Sequence, residues 1–256
     1  MKRLASLLAV ATASALAFTA LVATPAMAAD PITIAAVQGT GDATPLGTDP
    51  VTVEGIVTAY YAAPSNYRGL YLEAVDPAAE GPDGASDGIF VFFNAANPAV
   101  VVGDRIQVTG VPGEFQNQTQ LSATAAANYT VVEAGVGVPD AVPLPDTVLG
   151  SAREAYEGML VQPAGTYMLA STHELFNFGS LWLSAGHAAV TPTEIADAGS
   201  ADATAIAADN AARRILIDDG YSIRVDAAAH VGEQPYFTKD TVVRLGDTLV
   251  PPAVPM

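Results

Sequence analysis

The sequence predicts a mainly β protein: two tandem small β-barrels, the second incomplete, with one short helix. Three observations lead there. Apolar runs are short, alternate with polar residues and end at turns rich in Gly, Pro and Asp. Helical periodicity is confined to one alanine-rich segment, with helix expected from Ala203 to Arg213. A series of short motifs also occurs twice in the same order, the mark of a duplicated unit.

The chain begins with Lys2-Arg3, an apolar run from Leu4 to about Val22, and the small-x-small stretch Pro25-Ala26-Met27-Ala28. That pattern is a secretory signal peptide, so residues 1–28 are expected to be removed and the mature chain to start at Ala29. Loss of Lys2 and Arg3 leaves 8 of the 10 basic residues against 27 acidic ones, and the formal charge moves from −17 to −19. Lys239 is then the single lysine. Such a surface repels polyanions at long range and argues against a non-specific nucleic-acid clamp. With no cysteine, the fold stands without disulfides, and thiolate chemistry is excluded.

Ile32-Thr33-Ile34-Ala35-Ala36-Val37 reads as an opening strand, and Asp42 to Pro50 as a turn-rich connection. Val51 to Thr58 alternates cleanly, with Gly55 marking a bulge or bend in a strongly coiled strand. Gly69-Leu70-Tyr71-Leu72-Glu73 is the next strand, followed by an acidic loop from Asp76 to Asp87. Ile89 to Phe93 is an aromatic-rich strand. Gly103-Asp104 then turns into Arg105-Ile106-Gln107-Val108-Thr109, where Ile106 and Val108 alternate with polar neighbours. Thr119 to Ser122 and Tyr129 to Val132 complete a first unit, residues 29–134. Residues 135–150, with Pro139, Pro143 and Pro145, read as a linker.

The second unit, residues 151–256, repeats the series. Glu157-Gly158 answers Glu54-Gly55, Gly179 to Ser184 answers Gly69 to Glu73, and Gly246-Asp247 answers Gly103-Asp104. The distance from Gly55 to Gly103 is 48 residues and that from Gly158 to Gly246 is 88, the excess holding the alanine-rich segment. After Val242 to Val250 only Pro251 to Met256 remain, so this unit is read as truncated.

The ordered series resembles a known family. Val37-Gln38-Gly39-Thr40-Gly41-Asp42, Val51 to Thr58, Ser86-Asp87-Gly88-Ile89-Phe90-Val91, Val102-Gly103-Asp104, Glu114-Phe115 with Thr119-Gln120-Leu121, Tyr156-Glu157-Gly158-Met159, Thr191-Pro192-Thr193-Glu194 and Arg214 to Gly220 are its landmarks. They are similar to the non-catalytic region that precedes the catalytic domain in secreted bacterial extracellular endonucleases of the ExeM/NucH type. The resemblance implies two tandem OB-like β-barrels. It also implies a downstream endonuclease/exonuclease/phosphatase domain that hydrolyses phosphodiesters with Mg or Mn. That domain would begin where this chain stops, so no catalytic residue is carried over and no cofactor is expected here. A nuclease domain in longer relatives, and DNA or RNA, are the implied partners; no membrane attachment is expected after signal cleavage.

The residues themselves carry little catalytic chemistry. His173, His187 and His230 are scattered, without H-x-H or H-x-x-x-H spacing, and neither a nucleophile elbow nor a P-loop occurs. Asp76, Asp83 and Asp87 are calcium candidates in an acidic loop that lacks the fixed spacing of an EF-hand; the alternative is a solvated turn. The aromatics suggest binding. With Ile89, Val91 and Phe93 turned inward, Phe90 and Phe92 face outward, where Tyr71 and Arg105 can join them. Such a face would stack bases, with the arginine meeting a phosphate. Trp182 occupies the position equivalent to Tyr71. Packing beneath another unit is the competing account of these rings, and a protein- or glycan-binding interaction module is the alternative function.

Overall fold

A computed structural model of the chain describes residues 30–75, 84–230 and 242–256. The expected signal peptide, Asp76, Asp83 and Lys239 lie outside the described residues. The fold is mainly β, built around a closed five-strand barrel, with few helices.

The barrel uses β1 (Val51–Tyr61), β2 (Gly69–Glu73), β3 (Gly88–Phe92), β4 (Arg105–Phe115) and β5 (Gln118–Ser122). Its order is β1-β2-β3-β5-β4, closed by pairing of β4 with β1; the β3–β5 pair is parallel and the others are antiparallel. Two long strands make closure possible. β1 pairs with β4 through Val51–Ile56 and with β2 through Ile56–Tyr61, so it changes partner beside Gly55, with a register shift at Val57/Ala59. β4 gives its second half to β5, while β6 (Tyr129–Glu133) continues along the same edge of its first half.

Burial alternates cleanly along β4 and β5, while β1, β2 and β3 are covered on part of their outer face as well. Val53, Val57, Leu70, Leu72, Ile89, Val91, Phe93, Ile106, Val108 and Leu121 are all sealed from solvent in one cluster. The expected opening strand is corrected. Ile32 makes a single bridge to Val53, after which Ile34–Gln38 is a helix, α1, whose Ile34 and Val37 join the barrel core. Thr33 decides this locally: its Oγ1 accepts the Ala36 N–H at 3.1 Å, and Gly39 ends the helix at φ 71°. Thr33→Ala is expected to cost about 1 kcal/mol of stability, read from the urea midpoint.

The segment read as a linker, residues 135–150, contains a strand. Val142–Pro145 is a strand, β7, parallel to β8 (Leu160–Ala164), and β13 (Val254–Pro255) pairs with the other edge of β8. A second, antiparallel sheet runs β11-β10-β9-β12, from β9 (Tyr167–Ser171), β10 (Leu181–Ala185), β11 (Arg214–Ile217) and β12 (Thr248–Leu249). Its core is Tyr167, Leu169, Leu175, Leu181, Leu183 and Ala185, and Ile215 packs on the cores of both sheets. The expected strand Val242–Val250 narrows to β12. The one expected helix is present at Ala201–Arg213, capped by Ser200 Oγ, which accepts the Ala203 N–H at 3.1 Å. Two further one-turn helices, Leu175–Phe178 and Pro192–Ile195, were not anticipated; Gly179 ends the first in a left-handed conformation and Pro192 opens the second. Among the described residues no helix is long and apolar enough to cross a membrane.

Candidate functional site: an aromatic and amide groove on the barrel

The outer face of β2, β3 and β5 carries a row set directly by register. Tyr71 lies opposite Phe90, and Phe90 opposite Gln120. Gln118 flanks the row on β5, while Thr119 and Leu121 turn inward and are buried. The end of the buried Phe90 ring packs on Gly69, where a side chain would meet its Cζ at 2.0 Å, so the glycine makes room for the ring. The Tyr71 and Phe90 rings pack 5.0 Å apart at 56°.

This row floors an open groove of about 610 Å³. Phe92 lines it from β3, and Phe115, 58 % exposed, stands at its edge where β4 ends. Gln116 and Asn117 form the two-residue hairpin into β5 with φ of 52° and 64°, the left-handed pair such a turn needs. The opposite rim is the β1–β2 loop, with Pro64, Asn66, Tyr67 and Arg68. Arg68, at φ 54°, hydrogen-bonds to Pro64 O at 3.3 Å and to Asn94 Oδ1 at 3.2 Å, which holds its guanidinium at the mouth. Both rims therefore hold non-glycine residues in left-handed backbone, Gln116 and Asn117 because the hairpin turn requires it and Arg68 at the entry to β2.

Of the residues singled out from sequence, Tyr71, Phe90 and Phe92 come together here; Arg105 does not. It lies on another sector of the barrel, with Nε donating to Glu54 Oε1 at 2.6 Å and Glu133 3.9 Å away. Burial alone would raise the Glu54 carboxyl. Hydrogen bonds from Gln107 and Arg105 and the guanidinium's charge outweigh it and hold Glu54 below its usual range. Alternation puts Arg105 outside the barrel, but closure decides which side it faces. The guanidinium at the groove is Arg68, and the exposed ring is Phe115. Their signals were an arginine at a strand start and an aromatic beside a hairpin turn.

Tyr71 serves the groove as a neutral phenol. Burial pushes its hydroxyl up to about 12, although the hydrogen bond from Gln118 Nε2 at 3.3 Å pulls the other way. The remaining candidates lie elsewhere. Trp182 is covered by the Arg214 guanidinium, 3.5 Å from its ring centre. His173 and His187 lie at the surface beside Glu174 and Asp209. His230 lies in a loop with its side chain buried: its Nε2 is 2.9 Å from Asp219 Oδ2, and its ring stacks on Tyr221 at 4.0 Å. Asp87 begins the turn into β3, where its charge bears on the buried Glu73, and its carbonyl accepts the Ala74 N–H. Among the described residues no group of three or more His, Asp or Glu is placed to hold a metal ion.

The groove can stack planar or ring-shaped ligands and bind their edges through the amides of Gln116 and Gln120, and through the capacity left on Asn66 and Gln118, which also bond Gly220 O and Tyr71 OH, with one guanidinium at the rim. The molecule is thus a mainly β barrel protein with an aromatic groove on one outer face. No family model and no curated protein matches the chain.

Proposed function

We propose that this is the secreted, non-catalytic OB-like front region of an extracellular nuclease-family protein, and that its groove binds single-stranded nucleic acid. The strand order β1-β2-β3-β5-β4-β1 with a parallel β3–β5 pair supports the OB-like description. The signal segment of residues 1–28 supports secretion. The observation that carries the function is the Tyr71–Phe90–Gln120 row, flanked by Phe92 and Phe115 and rimmed by Arg68. Rings stack on bases, amides meet base edges and the guanidinium meets a phosphate.

Titration of a labelled oligo-dT by fluorescence anisotropy tests this. Phe115→Ala is expected to weaken binding by roughly tenfold, the usual cost of one base-stacking ring. A single rim arginine implies a shallow salt dependence, a slope of roughly −0.7 in log K against log salt, approaching zero in Arg68→Ala. No binding of any oligonucleotide at low salt overturns the proposal. One observation favours a second reading, a neutral glycan as ligand: the formal charge is −17, while the groove offers four side-chain amides. Salt-independent binding of an uncharged oligosaccharide, lost in Phe115→Ala, would decide for it.

A further inference from the structure

The groove's rim loop is held by the other half of the molecule. Within the loop, the backbone has one turn bond, Asn66 N–H to Ala63 O at 2.9 Å. Across the junction its backbone carbonyls accept three bonds, and its side chains donate two more. Ser222 N–H donates to Ser65 O at 2.8 Å, and Ser222 Oγ to the carbonyls of Ser65 and Asn66 at 3.1 and 3.0 Å. Asn66 Nδ2 donates to Gly220 O at 2.9 Å, and Asn66 forms a β-bridge with Tyr221. Tyr67 OH donates to Asp218 Oδ1. Asp218 is itself fixed: Oδ1 also accepts the Gly220 N–H at 2.9 Å, and Oδ2 accepts Ser180 Oγ at 2.7 Å. Burial and the Asp218 charge push the Tyr67 hydroxyl far up, so it remains a donor.

We propose that the groove is a site of both halves of the chain, in which the Asp218–Ser222 turn positions the Pro64–Arg68 rim, so that ligand occupancy and docking of this turn are thermodynamically linked. The linkage rests on the reading that the groove binds a ligand. Ser222 lines the groove directly, while Asp218 acts through Tyr67 and is a positioning residue. A surface loop with one internal backbone bond must otherwise be ordered at the moment of binding, which weakens affinity by the fraction of time the rim is competent. Linkage is reciprocal, so a ligand that needs the ordered rim must also tighten the turn's hold on it.

Backbone hydrogen exchange on the full chain, with and without oligo-dT, tests both parts. Asp218→Ala is expected to speed exchange at the Asn66 and Ser222 amides while barrel amides such as Val53 and Val108 stay protected. It should weaken oligo-dT binding by roughly tenfold, and saturating oligonucleotide should restore rim protection. Asp218→Asn, which keeps an acceptor for Tyr67 and Gly220, is expected to behave nearly as the parent does. If Asp218→Ala loses barrel protection as well, Tyr67→Phe, which removes one bond, carries the test. Rim exchange that does not respond overturns the positioning role even where the oligonucleotide binds tightly. A parent chain that binds no oligonucleotide overturns the linkage, and rim exchange still reports whether the turn orders the loop.

Discussion

Gly88→Ala is expected to destabilise the protein by about 3 kcal/mol or more, the upper end for overpacking a close contact. A Cβ on Gly88 would lie 2.2 Å from Gly158 C and 2.2 Å from Met159 N. Both are backbone atoms, so no side chain can swing away. The facing backbone is also tied down. Gln38 Nε2 donates to Gly88 O at 2.6 Å and Ser86 Oγ to Glu157 O at 2.5 Å. Glu157 Oε1 accepts Thr119 N–H at 2.6 Å, Glu73 Oε2 accepts Leu160 N–H at 3.1 Å, and Gly158 N–H donates to Met256 O at 2.6 Å. Relief of the clash must stretch several of these bonds together. For a chain of this size the melting temperature should fall by roughly 6–12 °C. Gly113→Ala is the control: nothing lies within 4 Å of its Cβ position, and a change within about 0.5 kcal/mol is expected. A Gly88→Ala protein that melts with the parent would mean that the two backbones can part without loss.

How much of this was legible follows from how local each signal is. Period-two alternation placed Ile89, Val91 and Phe93 inside and Phe90 and Phe92 on the outer face, because the faces of a strand depend only on the strand; that Phe90 is nevertheless buried, at 6 % exposure, is set by its neighbours. Gly55 lies beside the point where β1 passes from β4 to β2, while the register shift itself falls at Val57/Ala59. Ile32 to Val37 misled because Ile and Val suit a strand, whereas a capping threonine and two alanines favour a short helix that plugs the barrel. Arg105 misled for a different reason: alternation gives the side of a sheet, while strand order and coil give the direction that side faces once the barrel closes. The proline-rich residues 142–145 resemble a linker in composition, yet their partner β8 lies beyond the 3₁₀ turn at Gly150–Tyr156. The contacts of Asn66 and Tyr67 with Asp218 to Ser222 span more than 150 residues and leave no pattern in either segment.

Alkaline pH is expected to loosen the same junction that Gly88→Ala would disrupt. Burial pushes the Glu73 carboxyl up to about 7, with the Asp87 charge adding to it and the Leu160 N–H opposing it. Burial also pushes Glu157 up to about 8, helped by a hydrogen bond with Glu154 and by the charges of Glu154 and Glu114, against the Thr119 N–H. Glu73 Oε1 is buried and has no hydrogen-bond partner among the described residues, so ionisation there places charge on an uncompensated oxygen. Both groups start from an ordinary value of 4.5, so between that pH and about 8 the folded chain holds more protons than the unfolded one. Their contribution to stability is fully present below 4.5 and is lost as pH rises through about 7 and then about 8. The melting temperature should fall on the order of 5 °C between mildly acidic and alkaline buffers of equal ionic strength. Glu157→Gln keeps an oxygen for Thr119 and should flatten the upper part of that fall, while Glu73→Gln keeps one for Leu160 and should flatten the lower part. Above pH 8 the double variant should melt higher than the parent, since neither glutamine can ionise. Identical pH profiles for parent and double variant would show that the junction carboxyls are not the groups that titrate.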